Sequence, residues 1–415
     1  MNIALIGSGI AGLTAAHLLS RRHSVTLFEA DTRLGGHTHT VDVTVDGRRY
    51  AIDTGFIVYN DWTYPNFIRL LDQLGVASRP AEMSFSVRDP RSDLEYNGHT
   101  LNSLFAQRRN LLSPDFWGML RDILRFNKQA LQDLEQQRIP TDMTLGEYLG
   151  RNGYGARFID HYIVPMGSAI WSMSLAAMLD FPLQFFVRFC KNHGLLSVND
   201  RPQWRVIEGG SRSYLEPLSA GFAEGIRLNC PVQRVERDAE GVTVHSAAGR
   251  ERFDKVVFAC HSDQALALLA DPSDAEREIL GALRYADNDV VLHTDTRLLP
   301  ARRLAWASWN YRLGGPADQP AAVTYNMNIL QGIDSDTTFC VSLNQTAAID
   351  PARILARFSY AHPQYSLAGL AAQERWRELL GERHSYYCGA YWANGFHEDG
   401  VVSALRVAAA FGEAL

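Results

Sequence analysis

Residues 3–29, IALIGSGIAGLTAAHLLSRRHSVTLFE, constrain this chain more than any other stretch. "IALI" reads as a buried strand, "GSGIAG" as a tight turn and "LTAAHLLSRR" as a helix. "SVTLFEA" then reads as a second, parallel strand, which completes a βαβ unit. Gly7 allows the turn, Gly9 lets the backbone approach a pyrophosphate, and Gly12 lets helix and strand pack closely. The helix opens at Ile10 and Ala11, whose end of the helix offers amide donors to phosphate. Glu29, followed by Ala30, ends the second strand where an acid would accept hydrogen bonds from an adenosine ribose. A chain built on this unit is α/β, with a Rossmann-like parallel sheet, and 415 residues are enough for more than one core.

The glycine turn alone does not choose between NAD and FAD, and the residues after Glu29 do. "ADTRLGGHTHT" supplies Arg33, placed to meet phosphate oxygens, and the Gly35–Gly36 doublet, which lets backbone lie against a cofactor. "YAIDTGFIVYN" adds Asp53, Thr54, Gly55 and Phe56 as a second close-approach turn. In this order the motifs GxGxxG, Glu, RxGG and DxG resemble the flavin-dependent amine oxidase and phytoene desaturase superfamily. The resemblance implies non-covalent FAD, with Val232, Gly389, Glu398, Asp399, Gly400, Val401 and Val402 completing the cofactor contacts. Where many members carry Arg or Lys after the glycine doublet, this chain has His37, with His39 two residues on; His37 reads as a pH-sensitive group or as a weaker phosphate contact.

Patterning divides the rest. Residues 1–60, 205–285 and 385–415 read as a discontinuous FAD-binding domain, 61–204 as a helical region, and 286–384 as a mixed-sheet substrate domain. Within 61–204, "DMTLGEYLGRNG" places a helix cap at Asp142 or Thr144 and a stop at Gly150. "VQRVER", "GVTVHS" and "RERFDKVVFAC" read as a meander returning to the parallel sheet. The turn "EGGSRSYL" is expected to touch cofactor or cap a helix, with Arg212 reaching phosphate. "CGAYWANGFHEDG" ends a strand at Gly389 and opens the last helix, whose positive end would stabilise a reduced, anionic flavin.

Lysine bears on the substrate. Amine oxidases of the superfamily commonly place a lysine in the substrate-domain sheet, but here Lys128, Lys191 and Lys255 are the only lysines and none lies beyond 255. "PMGSAIWSM", "FPLQFFVRFCKNHGLL", "WNYRL", "TYNMNILQ" and "FSYAHPQYS" resemble a bacterial group of NAD/FAD-binding proteins associated with cyclopropane-fatty-acid-synthase-like methyltransferases. Some of that group desaturate methyl-branched acyl chains on the route to furan fatty acids. This resemblance implies an acyl-lipid substrate, with phospholipid at a membrane surface as partner and oxygen or a quinone as electron acceptor. Trp171, Phe181, Phe185, Phe186, Phe189 and Trp204 are expected to line an apolar cleft. Hydride loss must be matched by proton loss from the neighbouring carbon, and His193, His362, His397 and Glu398 are the candidate bases. Amine or amino-acid oxidation and a non-redox flavoprotein stand as alternatives.

Composition narrows the partners. A net charge of -6 gives no basic field for nucleic acid. The five cysteines, with no CxxC pair, point to neither metal nor disulfide, and Cys388 reads as a buried strand residue rather than a flavin attachment point. The longest apolar run, "AIWSMSLAAMLDFPLQFFVRFC", is broken by Asp180, Pro182 and Arg188. A strand at the start leaves no room for a leader, so the expectation is a cytoplasmic protein, peripheral at most to the inner membrane face.

Overall fold

Five parallel strands form the centre of the computed structural model, which describes residues 1–415, in the order Ile226–Arg227, Ser24–Phe28, Asn2–Ile6, Lys255–Phe258, Ser385–Tyr387. The alternation of the first strand explains how both faces are covered. Ile3 and Leu5 point into a core shared with Leu13, Ala16, Val401 and Ala404, on the helices Ile10–Leu19 and His397–Ala410. Ala4 and Ile6 point the other way, onto Val235, Val244 and Phe253 of the meander Val232–Phe253. The βαβ reading and the return of "KVVF" to the sheet both hold.

A second sheet has seven strands, in the order Ile354–Gln364, Arg284–His293, Cys340–Leu343, Val323–Asn326, Trp309–Arg312, Phe85–Asp89, Leu94–Asn97. Its last two strands lie within 61–204, the segment whose pattern reads as a helical region. Phe85–Asp89 runs parallel to Trp309–Arg312, with Ser86 donating a side-chain hydrogen bond to Asn310 at 2.8 Å. A short strand in a helix-rich segment carries too little periodicity to announce such a distant partner.

The helical region packs its own core around Phe116, Phe126, Phe158, Phe181 and Phe186. The helix Pro114–Glu135 starts on a Ser113 cap, and Leu145–Arg151 starts on a Thr144–Glu147 capping box, so Thr144 rather than Asp142 is the cap. That helix runs through Gly150 and gives way at Gly153, whose φ is +61°. A single π-turn, Ile159–Ile163, feeds into the helix Val164–Trp171 and delivers Trp171 to the core. No helix is long and apolar enough to cross a membrane.

Candidate active site

The phosphate end of the site follows from three glycines. Gly7, at φ +104°, lies so close to the strand Lys255–Phe258 that a Cβ would meet the Ala259 carbonyl at 2.9 Å, and a Cβ on Gly12 would meet the Gly7 oxygen at 2.1 Å. Gly9 differs, because a Cβ there would meet nothing within 4 Å. It is the cap of the helix Ile10–Leu19, with no side chain bonded to the helix amides, so open space and free donors coincide where a pyrophosphate fits. Gly36 lies against it, a Cβ there falling 3.2 Å from the Gly9 Cα, and the Gly35 amide bonds the Ser8 carbonyl at 3.0 Å. Glu29 stands just past the end of the strand Ser24–Phe28, accepting from the Ser8 and Asp31 amides at 2.9 and 2.8 Å. Ala30 beside it is exposed, and Val232 lies close by through the Cys230 amide bonded to the Glu29 carbonyl.

Arg33 and Arg212 do different work from that expected. Arg33 Nη2 donates to the Gly36 carbonyl at 2.8 Å and Nη1 to the Thr38 carbonyl at 3.1 Å, so it clamps the glycine turn from outside. Arg212 makes a two-pronged pair with Asp42 at 2.6 and 2.7 Å on the surface. The turn Gly209–Gly210 instead brings Ser211 to Asp53, whose carboxyl accepts from the Ser211 amide at 2.9 Å, from Thr40 at 2.6 Å and from Gln331 at 2.8 Å. Burial pushes the Asp53 carboxyl up to about 6. Asp53 thus ties three segments together, and Gly55 lets the turn pass, since a Cβ there would meet the His37 oxygen at 2.1 Å.

Beyond the glycine turn the site is a cluster of imidazoles. His37 lies 5.2 Å from Tyr360, 5.4 Å from His362 and 6.3 Å from His261, ring centre to ring centre. Its Nε2 is buried and has no partner. Burial, with the His362, His261 and His397 rings and the Arg33 guanidinium around it, holds its pKa well below the ordinary value, so the ring is neutral. His362 is pushed down to about 4, chiefly by burial. Its Nδ1 faces the Asn288 amide at 3.1 Å, and Asn288 is oriented because its Oδ1 accepts from Asn344 at 2.8 Å. The Asn288 NH2 therefore donates to Nδ1, the proton sits on Nε2, and neutral His362 offers a donor rather than a base. His261 stacks on Tyr285 at 4.1 Å, and His39 holds the Tyr360 hydroxyl at 2.7 Å, with Thr54 on the same oxygen at 2.9 Å.

The turn before the last helix separates the remaining candidates. His397 stacks face to face on Phe56 at 3.4 Å, and its Nε2 lies 3.0 Å from Thr38 and 3.1 Å from the Tyr214 hydroxyl. Burial pushes it down to about 3. Glu398 is neither base nor cofactor contact: its carboxylate accepts from the Asn66 and Phe67 amides at 3.1 and 2.9 Å, capping the helix Pro65–Leu74. Asp399 accepts from the Phe396 amide at 2.9 Å and so caps its own helix; burial pushes it up to about 6. Gly400 allows close helix packing, because a Cβ there would meet Ile10 Cγ2 at 2.7 Å. Val401 is packed in the core and, like Val402, lies past the turn whose amides are free. Gly389 is needed for Tyr391, whose ring a Cβ would meet at 2.2 Å. Cys388 is wholly buried in the core.

Aromatic rings expected to line a cleft pack together in the core of the helical region. Trp171 lies 4.5 Å from Phe181 and 4.8 Å from Phe189, with Phe185 and Phe186 around it. Tyr365 stacks on Phe185 at 5.0 Å and Phe396 on Phe189 at 5.3 Å. Five of the six expected lining residues thus meet, whereas Trp204 stands apart beside His193. His193 is held by the Phe189 carbonyl at 3.0 Å and by Thr63 at 3.2 Å, so neither nitrogen is free. Tyr214, Thr38, Tyr285, Tyr360, Asn288 and Tyr365 were not legible as site residues, and only the spacing of Tyr360 and His362 on one strand face carried any signal.

These residues suit a dinucleotide with an aromatic ring system: an open glycine cradle, an acid at the second strand and an unpartnered buried imidazole nitrogen beyond. The chain is 26% identical over 288 residues to the Mycobacterium tuberculosis protein AofH, named as a flavin-containing monoamine oxidase; the match covers 66% of this chain and 59% of that protein's length. Its fold is similar to cyclohexylamine oxidase from Brevibacterium oxydans (TM-score 0.67, 16% identity, 99% and 98% of the two chains). It is equally similar to a fatty acid isomerase from P. acnes that produces CLA (TM-score 0.68, 16% identity, 99% and 98% of the two chains). The family model for flavin containing amine oxidoreductases matches residues 10–310, so the chain belongs to that family, and its cofactor is FAD.

Proposed function

We propose that this flavoprotein is an oxidoreductase that desaturates a fatty acyl chain, methyl-branched in the reading its sequence motifs favour. The observation that carries the reading is the uncharged aromatic cluster of Trp171, Phe181, Phe185, Phe189, Tyr365 and Phe396, whose Tyr365 directly follows the strand that carries His362. Trp171 Nε1 and the Tyr365 hydroxyl are buried there without partners, and no lysine is near. Lys191 pairs with Glu135 on the surface, Lys255 with His384, and Lys128 is exposed. An amino-acid carboxylate would find no cation in this cluster, whereas an acyl chain needs none.

FAD supplies the hydride acceptor. Aromatic side chains hold the chain and exclude water. Within the cluster of imidazoles His37 presents a fully buried Nε2 with no partner on a neutral ring, and in this reading it takes the proton from the carbon next to the one that loses hydride. His362 offers its Nε2–H as a donor beside it.

Likeness to a monoamine oxidase favours a second reading, oxidation of an amine. The two are separated by mixing the FAD-loaded protein anaerobically with phospholipid bearing methylated, monounsaturated acyl chains. Bleaching of the flavin with a product lighter by one hydrogen pair is the expected result, and His37→Phe should slow bleaching about a hundredfold or more while retaining FAD. Bleaching by polyamines or amino acids and not by lipid refutes the acyl reading; a shifted double bond at unchanged mass would make the reaction an isomerisation.

A further inference from the structure

We propose that segment 101–124 is the face by which this protein docks on an anionic phospholipid surface. Several large apolar side chains are exposed within this one segment: Leu101 is 78% exposed, Leu112 88%, Trp117 50% and Leu124 58%. They form one surface. Trp117 and Leu124 are seven residues apart and so lie on one stripe of the helix Pro114–Glu135. Trp117 Nε1 donates to the Leu111 carbonyl at 2.9 Å, which ties the turn Arg108–Leu112 to the helix, and the Phe105 ring supports Trp117 from the chain's interior at 5.4 Å.

Charge selects the occupant. On the same helical stripe stand Arg121 and Lys128, both exposed, and the turn adds exposed Arg108, whose guanidinium reaches only Asn102 and the Phe105 carbonyl. None of the three has an acidic partner, while Asp115, two residues before Trp117, falls on the opposite side of the helix. Leucine and tryptophan rimmed by free cations, on a chain whose net charge is -6, match a headgroup layer with acyl chains beneath it. A second copy of the same face would bring these cations against their own kind. The inner face of that helix packs Phe116, Met119 and Phe126 into the core that holds Trp171 and Phe181, so one helix joins the docking face to the core of the aromatic cluster.

Sedimentation of the FAD-loaded full chain with vesicles tests this without turnover, so the outcome is independent of the substrate reading. The protein should be retained by phosphatidylcholine vesicles containing phosphatidylglycerol, less at high salt and little on phosphatidylcholine alone. The variants Leu112→Asp with Trp117→Asp, and Arg121→Glu with Lys128→Glu, should each lower partitioning about tenfold or more at unchanged FAD content. Absence of retention on the anionic vesicles, or equal retention of both variants, overturns the proposal. So does a parent oligomer that the Leu112 and Trp117 changes dissociate without altering vesicle binding.

Discussion

Replacing Glu398 tests whether the acidic start of the last helix is chemistry or architecture. The helix Pro65–Leu74 has Tyr64 at its cap position and no side-chain cap of its own, so its first amides depend on a carboxylate from the far end of the chain. Glu398 also accepts from Asn66 Nδ2 at 2.6 Å, and its side chain is buried. A hydrogen bond to a charged group is worth roughly 1.5–3 kcal/mol, and loss of a helix cap costs roughly 0.5–2 kcal/mol. These bonds share one carboxylate and are not additive, and the freed amides rehydrate in part, so Glu398→Ala should cost about 3 kcal/mol. Glu398→Gln keeps one acceptor but turns an NH2 toward amide donors, so it should cost about 2 kcal/mol. Urea unfolding followed by tryptophan fluorescence reads both as a lower midpoint at unchanged slope. Anaerobic flavin reduction by lipid should stay within about threefold of the parent in each variant, because the carboxylate moves no proton. An alanine variant as stable as the parent, with reduction slowed a hundredfold, would refute the capping role and restore Glu398 as a base.

Two further outcomes are expected. Gly9→Ala adds a Cβ that meets no protein atom and keeps an allowed φ of -65°, so the stability of the apoprotein should change by less than about 1 kcal/mol while FAD retention drops; equal FAD content by absorbance would refute the cradle. The histidines set the pH dependence: His193, His293 and His362 are pushed down to about 4 and His397 to about 3, all chiefly by burial. A base whose pKa is lower in the folded than in the unfolded chain costs nothing above the unfolded value near 6.5. It destabilises as pH falls from there toward 4, by about 1.4 kcal/mol per pH unit while only the unfolded chain is protonated. Asp53 and Asp399, raised to about 6, act in the opposite sense, favouring the fold below pH 6, but are fewer. Urea midpoints should therefore fall from pH 6.5 to 4.5, and a flat or rising series would contradict the buried, neutral imidazoles.

Local signals read correctly and long-range ones did not. The glycine turn, Glu29 and the Gly35–Gly36 doublet are legible because each is defined within a few residues by what its own backbone must do. Nothing near Glu398 in the sequence names Phe67, which lies 331 positions away, and nothing near Arg212 names Asp42. The same distance hid the strands Phe85–Asp89 and Leu94–Asn97 inside a helical stretch.

Gly400 shows how such a residue can be singled out correctly for the wrong reason. An acid-glycine turn at a helix start suggests backbone laid against a ligand, yet the missing Cβ makes room for Ile10 Cγ2. The consequence for the site is larger than a direct contact would be. Gly400 and Ile10 both lie in the first turns of their helices, so removing one side chain lets the N-termini of Ile10–Leu19 and His397–Ala410 sit side by side. Each brings unpaired amides and the positive end of a dipole to the same end of the sheet. Glu398 and Asp399 have their carboxylates committed to caps, Asp399 to its own helix and Glu398 to Pro65–Leu74. Acidic residues crowd this helix start, yet their carboxylates are turned to caps, and the amides of both helix starts remain as donors for an anionic cofactor, with the neutral His37 beyond.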